Sequence, residues 1–501
     1  MNLRLGVKED VDEELPFAFM LITLMASCGI SPYESFKRLR FIDLLPFIQR
    51  ESNEIVRKVE VLNVDPLSAM QERAEVTRLK DYGDFLSGYV STVKSGGSVT
   101  SYLKSKLRSI FEVRTAVAMR SIERLETIVE AYMAALLVLL SAYILVALVS
   151  TSSFSATLGF HLNGQILVYL VLFVFMPAVS IFFMVFAHSI RKSTLMNIRS
   201  IYLKAIPFLV ISSAILLGTF LVPEVREIFI STIATIQRII DNLLPFRRTW
   251  SLLDYVVPII VASCFSLVSL FPMIEYSRIA HFNMKAEESM PSFLRDVSEN
   301  RKTGMSPEKS IAQAAMRKGY GPFSGILKRI VNQIEWGVSL RKTFIDLRER
   351  LRSWPVLMNF LILIETIEVG GGSPEALELL AAYSEKIRDI EKNKREMLKP
   401  YIILPFIWTV LMALTFTFTF YVVSHLPIIY ESGPAFPTIE SQLAVFSSAI
   451  IFHSWLSGFF IGKVAHGSFA AGFKYSILLV ITALISLLLS QNAIDLIMGI
   501  L

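Results

Sequence analysis

A tetrapeptide, Gly-x-Ser-Pro, followed 67 residues later by Gly-Gly-Ser, occurs twice in this chain. The first copy is Gly29-Ile30-Ser31-Pro32 with Gly96-Gly97-Ser98, and the second is Gly304-Met305-Ser306-Pro307 with Gly371-Gly372-Ser373. The copies are offset by 304 − 29 = 275 residues, and Pro16/Pro291 and Phe85/Phe360 keep that offset. One offset across so much matching punctuation is the mark of an internal duplication, so the chain must build two equivalent modules. Each motif spells a sharp turn between helices. Gly29 and Gly304 suit the left-handed residue that ends a helix. Ser31 and Ser306 suit the N-cap of the next, and Pro32 and Pro307 its first position, where no N–H is needed. Glu34, three residues after Ser31, completes the pattern of a capping box. Gly96-Gly97-Ser98 and Gly371-Gly372-Ser373 repeat the stop and the cap, with Val99 in place of the second copy's Pro374.

The modules alternate with apolar stretches. Apolar residues make up 53% of the chain and charged residues 18%, against about 25% charged in soluble domains. Runs at about 129–150, 166–187, 205–222, 255–274, 401–424, 443–461 and 476–490 approach the roughly 20 residues that cross a bilayer as a helix. The expected fold class is therefore all-α: a polytopic membrane protein with two homologous cytoplasmic helical bundles and about seven transmembrane helices. The expected domains are a first bundle at 1–128, a membrane region of about four spans at 129–275, a second bundle at 276–398, and a membrane region of about three spans at 399–501. The stretch at 224–244 carries Arg226, Arg238 and Asp241 among its isoleucines and reads as an amphipathic helix on the outer surface. Phe17–Ala26 is apolar but follows Asp10, Asp12, Glu13 and Glu14, where a secretory signal is basic. It reads as a buried helix of a soluble bundle.

Loop charge orients the scheme. Residues 189–204 hold Arg191, Lys192, Arg199 and Lys204, and 462–475 hold Lys463 and Lys474, whereas 151–165 and 425–442 have no Lys or Arg. The positive-inside rule puts the N-terminus and both repeats in the cytoplasm and the C-terminus outside, in a multi-pass cell-membrane protein.

Chemistry is sparse. None of the six histidines stands at ligand spacing from a second His, a Cys or a carboxylate cluster, and the two cysteines form no framework. No phosphate-binding Gly-rich loop ending in Lys-Ser/Thr occurs, so no nucleotide hydrolysis, no cofactor, no metal and no catalytic residue is expected. A net charge of +6 suits a surface facing anionic lipid or an acidic partner. The candidate docking residues are Lys104, Lys106 and Arg108 in the first repeat and Arg341, Lys342, Arg348, Arg350 and Arg352 in the second. Nucleic acid is not expected, because no aromatic–basic interleaving accompanies them.

The duplicated bundle, with Gly-x-Ser-Pro and then Gly-Gly-Ser before a long basic helix and a span, resembles the type II secretion system F domain family. That family includes the platform proteins of type II secretion, type IV pili, Tad pili and archaella. The extra spans resemble archaeal versions. The resemblance implies a platform on which a hexameric cytoplasmic assembly ATPase docks, so that its motion lifts pilin subunits from the membrane into a filament. A homo-oligomer, and an archaeal pilus rather than an archaellum, are the expected forms. The alternative reading is a polytopic permease or membrane-embedded enzyme.

Overall fold

A computed structural model describes residues 11–151, 164–191, 193, 195–196, 199–243, 252–425 and 439–498. The described residues form helices joined by turns and short loops, with one isolated bridge between Leu195 and Ser353 and no strand. The chain forms two compact units. The first gathers Met1–Arg120, Thr194–Met196 and Ile279–Lys394, and the second gathers Ser121–Ser193, Asn197–Arg278 and Arg395–Leu501. The first unit thus contains most of both repeats.

Repeat one runs α1 (Val11–Ser27), α2 (Pro32–Leu39), α3 (Pro46–Glu60), α4 (Pro66–Val76), α5 (Lys80–Lys94) and the start of α6 (Val99–Thr151). After α7 (Gly164–Leu170), a π turn at Val171–Phe175, α8 (Met176–Ile190), α9 (Arg199–Leu221) and α10 (Pro223–Leu243) comes α11 (Val256–Lys302), whose end opens repeat two. That repeat continues as α12 (Pro307–Ala315), α13 (Ser324–Glu335), α14 (Leu340–Arg350), α15 (Trp354–Gly370) and α16 (Pro374–Leu398). The chain closes with α17 (Leu404–His425), α18 (Ile439–His466) and α19 (Gly472–Met498).

The duplication is asymmetric in its core. By the 275-residue offset α1 corresponds to the end of α11, and α5 to α15. Helix α1 is buried on every side from Phe17 to Met25, and α15 from Pro355 to Ile367, whereas α5 and the end of α11 keep exposed faces. The two helices that became apolar all round are the two that pack on each other: Phe17 meets Trp354 edge-on at 4.8 Å. A helix apolar on all faces must be enclosed, and one contiguous core takes residues from both repeats. Within the repeats, Phe19 stacks on Phe85 at 3.8 Å, and Phe293 lies 5.7 Å from Phe360. The apolar run near the N-terminus is therefore a buried helix. Glu14, also buried, accepts the N–H groups of Phe47 and Ile48 and so closes the start of α3.

Among the described residues, seven helices are long and apolar enough to cross a membrane, matching the expected number. Helix α18 is central. Tyr132 of α6 bonds Ser180 of α8 at 3.0 Å and Ser457 of α18 at 2.9 Å, and Trp455 Nε1 donates to Ser269 of α11 at 2.9 Å. Interhelical bonds of this kind hold apolar spans in register where no hydrophobic difference drives them together. Helix α10 is not one of the seven. Its packed stripe centres on Ile233, against Val256, Ile260 and Cys264, with Phe229 and Ile230 beside it. Ile228, Ile236 and Ile239 are exposed.

Candidate functional site

The four serines of the duplicated motifs all cap a helix in the same way. The hydroxyls of Ser31, Ser98, Ser306 and Ser373 accept the N–H three residues on, at 3.3–3.4 Å. Ser98 does so although Val99 follows it. The glycines before them take φ of +83° at Gly29, +67° at Gly96, +87° at Gly304 and +63° at Gly371. Glu34 departs from its sequence reading: its carboxylate turns to Lys37 Nζ at 2.9 Å, where an ammonium is a stronger partner than a backbone N–H.

Three of the turns converge. The Arg301 guanidinium donates to the carbonyls of Gly371 (2.9 Å), Gly372 (3.0 Å) and Met305, tying both turns of repeat two together. Cys28, beside the first turn of repeat one, lies against Gly370 so closely that a Cβ there would sit 2.4 Å from Cys28 Cβ. Gly370→Val is expected to force the repeats apart and cost about 1–3 kcal/mol, read as a lower unfolding midpoint of the purified chain. Cys28→Gly in the same chain should restore part of it.

Alongside runs a charged seam. Glu365 of α15, 1% exposed, takes Arg38 of α2 at 3.3 Å and Arg341 of α14 at 3.2 Å. Burial raises its carboxyl above the ordinary range, opposed by Arg341 and Arg38. Arg348 reaches Asp43 at 2.7 Å, and Trp354 Nε1 donates to the Leu44 carbonyl at 3.3 Å. Phe111 of α6 packs on Tyr383 of α16 at 4.5 Å. These contacts join the repeats into a single body.

The seam absorbs part of the candidate docking set. Arg341 is held by Glu365 within repeat two, and Arg348 ties that repeat to Asp43 of repeat one; Arg350 pairs with Asp346 at 3.2 Å and Arg108 with Glu112 at 3.3 Å. Arg352 lies where its loop is pinned. Its N–H and that of Ser353 donate to the buried Asn283 Oδ1, and its carbonyl accepts the Met196 N–H at 2.7 Å. Lys104, Lys106 and Lys342 make no ion pair among the described residues, and Lys104 and Lys342 are exposed. Of the candidate set, those three are the cations that no described ion pair occupies. Among the described residues no group of three His, Cys, Asp or Glu side chains is placed to share a metal.

Comparison with known proteins places these features. A family described as "Type II secretion system (T2SS), protein F" matches residues 17–147 and 293–420, the two repeats with the starts of their spans. An uncharacterized protein of Methanocaldococcus jannaschii is 24% identical over 491 residues, covering 94% of this chain and 78% of the relative. No solved structure matches the chain significantly.

Proposed function

The chain belongs to the type II secretion system protein F family, and from that premise we propose that it is the membrane platform of a type IV filament machine. A cytoplasmic assembly ATPase docks on the unit that holds both repeats, and the platform passes its motion to pilin subunits entering a filament. Proteins of this family are structural platforms rather than enzymes, and the reading assigns this chain no catalytic residue. The filament is read as an archaeal pilus, and the platform as a homo-oligomer.

The observation that carries this reading is the shared core of the two repeats. A single hydrophobic core cannot straddle a bilayer, which supports both repeats facing one compartment. The Met196–Arg352 bond supports the same side for the basic loop at 189–204. Together with the positive-inside rule this supports a cytoplasmic N-terminus and repeats and an outer C-terminus. The permease alternative needs polar side chains turned toward a substrate. Tyr132, Ser180 and Ser457 instead bond one another across helices, as packing contacts do.

The test uses the full chain in detergent, because each repeat needs the other's apolar helix. It should retain the purified assembly ATPase encoded in the same genome. Reversing Lys104, Lys106 and Lys342 together is expected to weaken retention about tenfold, roughly 1.4 kcal/mol, and to flatten its salt dependence. No retention by the unaltered chain would defeat the platform reading. Retention that ignores the reversal would move the dock elsewhere.

A further inference from the structure

The two repeats give equivalent helix pairs opposite charge. In repeat one the hairpin of α3 and α4, at 46–76, carries four cations against six carboxylates. Its carboxylates pair within the repeat: Glu60 with Arg40 at 3.0 Å, Glu72 with Lys58 at 2.5 Å and Glu51 with Arg73 at 2.5 Å. In repeat two the hairpin of α13 and α14, at 324–350, carries six cations against three carboxylates. Gln333 of α13 donates to Asp346 of α14 at 3.2 Å, which sets the two helices side by side. Arg341, Arg348 and Arg350 are engaged by Glu365, Asp43 and Asp346. Lys328, Arg329 and Lys342 are exposed and make no ion pair among the described residues.

The same hairpin carries Trp336, 81% exposed, the most exposed large apolar side chain among the described residues. It ends α13, with the exposed Arg329 and Asn332 at −7 and −4 on its face, while Ile326, Leu327, Ile330 and Val331 fill the buried face. On α14, Ile345 is exposed at +3 from Lys342. The fold does not demand the tryptophan: α3 and α13 end at Glu60 and Glu335, and the next residue in repeat one is Val61. A tryptophan is usually well buried, and tryptophan and arginine are the side chains that most often dominate binding at protein interfaces. A lipid surface fits less well. An amphipathic helix lying in lipid sinks its whole apolar face there, and that face of α13 is already in the core.

We propose that the α13–α14 hairpin, with Trp336 as its anchor and Lys328, Arg329 and Lys342 as its cations, binds an acidic protein surface that offers an apolar pocket. Basic and acidic patches of this kind steer and fix a partner. The proposal rests on the platform reading, under which that surface belongs to the assembly ATPase. It assigns the dock to repeat two, because the equivalent hairpin of repeat one is acidic and its carboxylates are paired.

Retention of the full chain in detergent on the immobilised ATPase would be compared with that of variants altering exposed side chains. Trp336→Ala is expected to weaken retention about thirtyfold with an unchanged salt dependence, and Trp336→Phe to keep most of it. Lys328→Glu with Arg329→Glu should weaken it about tenfold and flatten the salt dependence. Val61→Ala, at the equivalent position of repeat one, leaves it unchanged, and each variant should melt with its parent. No retention by the unaltered chain would defeat the platform reading and this dock with it. Retention that survives Trp336→Ala, or falls equally with Val61→Ala, would overturn the proposal alone. A Trp336→Ala chain that keeps the ATPase but loses self-association in light scattering, or binding to phosphatidylglycerol micelles, would assign the hairpin to a second copy or to lipid instead.

Discussion

Replacing Arg38 and Arg341 together with alanine is expected to lower the stability of the unit holding both repeats by about 3 kcal/mol at neutral pH. Glu365 would remain as a buried negative charge with no counter-ion, which is the costly half of a broken ion pair. The figure lies at the low end for such pairs because the two arginine side chains are 37% and 55% exposed, so water already screens part of the attraction. Denaturant midpoints of the purified chain would measure it. Adding Glu365→Gln should recover most of the loss, since a neutral amide needs no partner charge. A double-alanine chain as stable as its parent would show that the seam is not held by charge.

The same residue sets a pH dependence with a definite sign. Burial raises the Glu365 carboxyl, and Arg341 and Arg38 pull it back only in part. A carboxyl that holds its proton more firmly in the folded than in the unfolded chain makes the folded state the more protonated one. Its contribution to stability therefore falls as pH rises from the ordinary carboxyl value of about 4.3 through the folded value, and stays low above it. Glu365→Gln should flatten this descent. Removing the two arginines should carry it to higher pH.

The seam shows where reading the sequence stops. Helix ends were legible because Gly, Ser and Pro act over three or four residues, and each capping serine binds where its spacing indicates. Apolar spans were legible because length and hydropathy are properties of a segment. The pairing of repeats was not: Glu365 meets Arg38 across 327 positions and Arg348 meets Asp43 across 305. One local sign existed, Glu365 directly after the apolar stretch Phe360–Ile364 of α15, because a charge beside such a stretch needs a partner. Counting cations likewise could not separate Arg341 and Arg348, which are consumed by the fold, from Lys104 and Lys342, which are exposed. Lys463 makes the same point in the second unit. By position it marks a loop, yet in the structure it is buried and holds the turn.

Gly462→Leu should have a still larger effect, on the second unit. A Cβ at Gly462 would lie 2.1 Å from the Gly472 nitrogen, and one at Gly458 would lie 2.3 Å from the Ser476 nitrogen. In both cases the obstacle is backbone, which cannot rotate away as a side chain can. The Gly-x-x-x-Gly spacing lets α18 and α19 cross at near contact, a closeness that also brings Ser476 Oγ to the Trp455 carbonyl at 2.7 Å. A leucine must push the helices apart, breaking that bond and opening the packing around Tyr132 and Ser457. The cost is expected to exceed the roughly 1–3 kcal/mol of ordinary overpacking, seen as loss of monodisperse protein in detergent and a lower melting midpoint in whatever survives. Gly218→Ala is the matched control, because its Cβ would meet only Val225 Cγ1 at 3.8 Å. If Gly462→Leu melts with its parent, α18 and α19 do not cross at these glycines.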